Sequence, residues 1–187
     1  MSYSTAFQQA LSDVLSIEGE YSDHPDDSGG RTKWGVTEKL AREYGYSGPM
    51  ETLPKSVARR IYYRHFWRWM ELDQVTAQAP ATAYELFDAG VNIGRRQTWR
   101  WLQRCLNALN RNERTYGDIR VDGWPGPETH RALTSYTGVR PKHGDDVLAA
   151  MINSLQGEHY VEITEAAKKN EAFTFGWIKE RVLRQHR

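Results

Sequence analysis

Five carboxylates, Glu18, Glu20, Asp23, Asp26 and Asp27, fall within residues 18–27 with no lysine or arginine among them. Like charges this close repel, so a plain connector has no need of them. A pair of carboxylates across a cleft is the apparatus of glycoside hydrolysis: one protonates the leaving oxygen, and the other activates water or stabilises positive charge on the sugar. Glu18 is the better candidate for the acid. It follows Phe7, Leu11 and Val14 on one stripe of a helical pattern, so at ~3.6 residues per turn its side chain is expected on the core-facing side at the helix end. Partial desolvation there, together with the unpaired carbonyls of the helix terminus, is expected to raise its pKa and keep it protonated near neutral pH. Glu20, roughly 200° further round, points elsewhere. A surface residue at a helix end is the plain alternative for Glu18.

Asp27 and Thr32 are the expected partners of Glu18. Asp27 belongs to HPDDSGG, where Gly29 and Gly30 permit a tight turn and a close backbone approach to a bulky substrate. Ordinary turn chemistry is the alternative for 26–28. Seven tryptophans and ten tyrosines are available to face sugar rings. Trp67, Trp101 and Trp177 sit in helical patterns and are expected in the core, whereas Tyr21 and Trp34 flank the acidic segment and are the candidates to line a cleft. Asn92 in GVNIG either donates a hydrogen bond to an acetamido group or simply ends a helix.

The elements that must position these residues are mostly helices. The first runs up to Glu18, and Gly19 ends its pattern. Tyr21–Ser22 and 32–36 are expected to pair as a small hairpin. Thr37 reads as the N-cap of a helix over EKLAREY that stops at Gly45. Pro54 opens a long helix through VARRIYYRHFWRWMEL. Further helices are expected near 80–90, over 95–110, around HRAL, and over 145–168 and 174–185. The predicted fold class is mainly α, a helical globule with one small β-hairpin near the N-terminus.

At 187 residues the chain fits one domain, or one domain with a small annex. Its net charge is +1, but residues 95–120 hold seven arginines against only Glu113 and Asp118. This basic run is expected to form a solvated helix face, with attraction to anionic wall polymers as its functional reading. DGWPG with Thr129 resembles short motifs of wall-binding modules, and Asp122-Gly123 is also an ordinary turn. Cys105 is the only cysteine, which rules out an intrachain disulfide. The histidines and the cysteine lack spacings such as C-x-x-C or H-E-x-x-H, so neither a metal nor another cofactor is expected. MSYSTAFQQALSDVLSIEG lacks a basic region and a long apolar core, so no signal peptide is expected, nor any membrane-spanning run.

The ordered motifs carry a resemblance. Glu18-Gly19-x-Tyr21 followed by Pro25-x-Asp27-x-Gly29-Gly30-x-Thr32-x-x-Gly35-Val36-Thr37 resembles the signature of glycoside hydrolase family 108. FDAGVNIG, WLQRCLNALN, DIRVDGWPGPET and FGWIKERV resemble that family's C-terminal part, a peptidoglycan-binding type of region. The resemblance implies a lysozyme-like fold. It also implies an N-acetylmuramidase, of the kind found in phage endolysins and bacterial lysis cassettes, that cleaves the β-1,4 bond between N-acetylmuramic acid and N-acetylglucosamine. Glu18 matches the family's proton donor, and Asp27 and Thr32 match its further site positions; the family carries Gly where Glu20 stands. On this reading residues 1–90 are the catalytic part and 91–187 the peptidoglycan-binding part, packed together as one compact unit. The expected partners are bacterial peptidoglycan and a holin or similar factor giving access to the periplasmic wall from the cytoplasm. No nucleic acid is expected, and the chain is expected to be a monomer. The rivals are a lytic transglycosylase and a non-catalytic peptidoglycan-binding protein.

Overall fold

The computed structural model describes residues 3–18, 21–22 and 31–183. These are mainly helical, with one small sheet near the N-terminus. The chain divides by its packing into two compact units, the first ending at Trp69 and the second beginning at Met70. Asp27, Gly29 and Gly30 lie outside the described residues.

In the first unit, Ser4 opens helix α1 (Thr5–Glu18) by accepting a hydrogen bond from the Phe7 N–H at 3.4 Å. The expected apolar stripe is buried through Phe7, Ala10, Leu11 and Val14. Phe7 anchors it, with its ring 5.2 Å from those of Tyr3 and Tyr63 and 5.4 Å from Trp67. Burying one such aromatic side chain contributes about 1.5–3 kcal/mol.

Three short strands follow: β1 (Tyr21–Ser22), β2 (Thr32–Lys33) and β3 (Val36–Thr37), antiparallel in the order β1-β2-β3. The expected pairing across the acidic segment is present, and the segment 32–36 adds a further strand by turning at Trp34 and Gly35. Both turn residues have positive φ, 55° and 69°. Two-residue hairpin turns of this mirror-image type match the right-handed twist of their strands. Thr37 ends β3 and caps helix α2 (Glu38–Glu43), its hydroxyl accepting from the Leu40 N–H at 3.3 Å. Gly45, at φ +82°, follows the end of α2.

The stretch expected as one helix from Pro54 onward is divided. Helix α3 (Lys55–Tyr62) passes into a π-helical turn, Tyr63–Arg68, and Glu71 at φ 51° precedes helix α4 (Leu72–Thr76). The wider turn lies where aromatic residues crowd. Tyr63 and Trp67 both meet Phe7, while the Phe66 ring lies 5.7 Å from Tyr62 and 4.7 Å from His65.

The second unit holds α4, α5 (Pro80–Asn92), α6 (Arg95–Leu109), α7 (Pro127–Val139), α8 (Gly144–Ala166) and α9 (Glu171–Trp177), with a final π-helical turn, Ile178–Val182. Helix α5 packs against α4, α6 and α8, so Leu86, Phe87 and Ala89 are fully enclosed. In α6 the arginine pattern splits as amphipathicity demands: Arg96 and Arg104 are exposed, whereas Trp99, Trp101, Leu102 and Cys105 are buried. Trp67 and Trp101 lie in the core as expected. Trp177 is only half-buried, stacked between Tyr160 and Phe173 at ring separations of 5.3 and 5.9 Å.

Candidate active site

Of the six residues singled out for the site, four are described residues of the first unit. Glu18 is the last residue of α1, and Tyr21 begins β1 just beyond it. The register pairs Tyr21 with Lys33 and Ser22 with Thr32, and then Thr32 with Thr37 and Lys33 with Val36. Thr32 therefore stands in the middle strand, in a row of three hydroxyl-bearing residues. Side chains alternate between the faces of a strand, and Val36 is buried, so Thr32 occupies the face opposite the buried one. The helix end bearing Glu18 and the strand bearing Thr32 are thus joined through one short paired strand.

Trp34 is held at three places. Its indole N–H donates to the Leu53 carbonyl at 3.0 Å, and its own carbonyl accepts from the Tyr62 hydroxyl at 3.1 Å. The ammonium groups of Lys33 and Lys55 lie 4.9 and 5.1 Å from its ring centroid. A bulky residue at φ 55° costs on the order of 1 kcal/mol or more, and these ties offset it. The turn following Thr32 is consequently fixed, with two cations against a half-buried aromatic ring.

Asn92 belongs to the second unit, at the end of α5, where its side-chain oxygen accepts from the Tyr160 hydroxyl at 2.8 Å. It is the last rung of a polar ladder between α5 and α8. The carboxylate of Asp145 accepts from the Ala81 and Thr82 N–H groups, both at 2.8 Å, and so caps α5. Asn153 then donates to Glu85 at 3.4 Å, and Gln156 to Asp88 at 3.3 Å. The pairs advance together along both helices, so α5 and α8 run parallel. Asp88 is further joined to Arg181 at 2.7 Å, with both side chains nearly inaccessible. Burial first, and then the Asp88 charge, push the Glu85 carboxyl up to about 8 despite the opposing Asn153 hydrogen bond. Sequence reasoning did not single out Glu85, Asp88 or Arg181. The signal available was polar residues at 85, 88 and 92, spaced along one face of the otherwise apolar PATAYELFDAGVN.

The DGWPG segment is built onto α6. The Gln103 side-chain nitrogen lies 3.0 Å from Asp122 Oδ1, 3.3 Å from the Trp124 carbonyl and 3.2 Å from the Thr129 hydroxyl, while its oxygen accepts from the Gly123 N–H at 2.8 Å. Asp122 also accepts from the Trp124 N–H at 2.9 Å. The Gln103 amide, and after it the Trp124 N–H, hold the Asp122 carboxyl below the ordinary carboxylate range. Among the described residues no cluster of three or more His, Cys, Asp or Glu could hold a metal ion. Among the same residues no helix is long and apolar enough to cross a membrane.

A helix that ends in a carboxyl residue and is followed in the same unit by a small sheet fits the expected glycoside hydrolase. The similarities to known proteins accord with this. Residues 11–94 match glycosyl hydrolase 108, and residues 97–182 match the family described as a predicted peptidoglycan domain. The fold is shared with the solved structure of Brucella abortus SagA, at 22% identity and a TM-score of 0.65 over 92% of this chain and 87% of that one. No curated protein matches the chain. A glycosyl hydrolase 108 segment followed directly by a predicted peptidoglycan domain supports a peptidoglycan hydrolase. The two matched segments meet at 94–97, beside Gly94 at φ +111°. The packing units part earlier, because α4 and α5 bury their apolar faces in the second unit.

Proposed function

We propose that the chain is an N-acetylmuramidase, hydrolysing the β-1,4 bond between N-acetylmuramic acid and N-acetylglucosamine in the bacterial wall. The observation that supports the proposal is that α1 ends at Glu18 and, among the described elements, only the short strand β1, which pairs with β2, intervenes before the strand that holds Thr32. In this reading Glu18 protonates the leaving oxygen, Asp27 directs the attacking water, and Thr32 helps hold that water. Tyr21 and Trp34 line the substrate path, and Asn92 contacts an acetamido group. Catalysis resides in residues 1–90 and wall binding in 91–187; the enzyme works as a monomer on the periplasmic wall.

The test is a digest of purified sacculi with the released ends identified by mass. Hydrolysis leaves reducing N-acetylmuramic acid ends, whereas transglycosylation leaves 1,6-anhydro ends and would refute the proposal. Glu18→Gln is expected to lower the rate by about 10²–10⁴-fold with the fold retained, because an amide cannot deliver the proton. A Glu18→Gln enzyme as active as wild type, beside an inactive Glu20→Gln, would move the acid to Glu20.

A further inference from the structure

Trp124 is 47% exposed, which is unusual for the largest apolar side chain, on a segment whose backbone is otherwise tied down. Both its N–H and its carbonyl are engaged, by Asp122 and by Gln103. Gly123 beneath it is buried at φ +78°, so close to α6 that a Cβ there would lie 2.5 Å from the Arg96 carbonyl oxygen. The Arg96 guanidinium lies 4.5 Å from the indole centroid and donates to the Asp122 carbonyl at 3.3 Å. The indole is therefore a pre-ordered platform, and ordering it costs a ligand little.

We propose that Trp124 with Arg96 is a glycan-binding subsite for peptidoglycan strands, separate from the hydrolytic residues. The proposal rests on peptidoglycan being the substrate. The chemistry is that of an amphipathic sugar: the apolar face of a pyranose ring stacks on the indole. Arg96, with Arg100 on the next turn of α6, meets the free carboxylates of the stem peptides on the same strand. The residues belong to the predicted peptidoglycan domain match or stand one residue before it. A single aromatic ring flanked by cations is small for a protein interface, which buries about 800 Å² on each partner.

The test is sedimentation of the full chain with purified sacculi on ice, comparing wild type with Trp124→Ala, Trp124→Phe and Arg96→Ala, each checked for an unchanged thermal unfolding midpoint. Trp124→Ala is expected to bind about tenfold more weakly, the loss typical of one stacking platform. Phe should restore most of the binding, and Arg96→Ala should weaken it and blunt its salt dependence. Trp124→Ala that sediments like wild type overturns the subsite alone, as does a Trp124→Ala that changes the oligomeric state instead. Wild-type protein that neither sediments with sacculi nor solubilises them overturns the peptidoglycan reading itself, and the subsite with it.

Discussion

Glu85 makes the second unit sensitive to pH in a direction opposite to that of a salt-bridged acid. The residue is 3% exposed, and its carboxyl feels the Asp88 charge and is lifted from 4.5 to about 8. Below pH 4.5 the folded and unfolded chains both hold this proton, and its contribution to stability is complete. Between 4.5 and about 8 the unfolded chain releases the proton while the folded chain keeps it. Stability therefore falls as pH rises, by about 1.4 kcal/mol per unit of pH, and is lost through the folded value. Across the whole window the loss attributable to Glu85 is up to about 5 kcal/mol. Glu85→Gln keeps the shape and a carbonyl for Asn153 while removing the ionisation. The variant should match wild type to within about 1 kcal/mol at the acid end of the window and exceed it by several kcal/mol at the alkaline end. Urea unfolding followed by circular dichroism, repeated across that window, measures the difference. A wild-type-minus-variant difference that stays constant with pH would refute the assignment of a buried, protonated Glu85.

Arg181→Ala should destabilise the chain by about 3–5 kcal/mol, because it strands the buried Asp88 carboxylate; removing both partners as Asp88→Asn with Arg181→Met should recover most of that loss in the urea midpoint. Gly123→Ala should cost about 2–4 kcal/mol, since the new Cβ meets a backbone oxygen at 2.5 Å and φ is +78°. Its thermal unfolding midpoint reports this, and an unchanged midpoint would mean that the loop does not need its close approach to α6.

Much of the helical order was legible in the sequence because its signals are local. The stripe of Phe7, Leu11 and Val14, the cap at Thr37 and the stop at Gly45 each act within a few residues. The break after Tyr62 was not legible, since a run of aromatic residues fits a π-helical turn and an α-helix alike until its partner, here Phe7 on α1, is known. Trp34 misleads for a different reason: tryptophan favours strands, and its positive φ is sustained only by the distant Leu53 and Tyr62. The polar spacing on α5 was visible, but its partners on α8 and Arg181 lie more than sixty residues away. Of the site, the pairing of the strand after Glu18 with the strand bearing Thr32 was expected and is present. Asp27 lies outside the described residues.

The parallel ladder of α5 and α8 has a mechanical consequence. Helices joined by apolar contacts alone can slip past each other by one turn, about 5.4 Å, and find nearly equivalent packing. Here such a slip would carry every rung from Asp145 to Tyr160 opposite the wrong neighbour, and each buried polar group left unmet costs about 1–3 kcal/mol. Sliding is therefore closed to this pair, and the ladder fixes the register of α5 on α8 from Ala81 to Asn92.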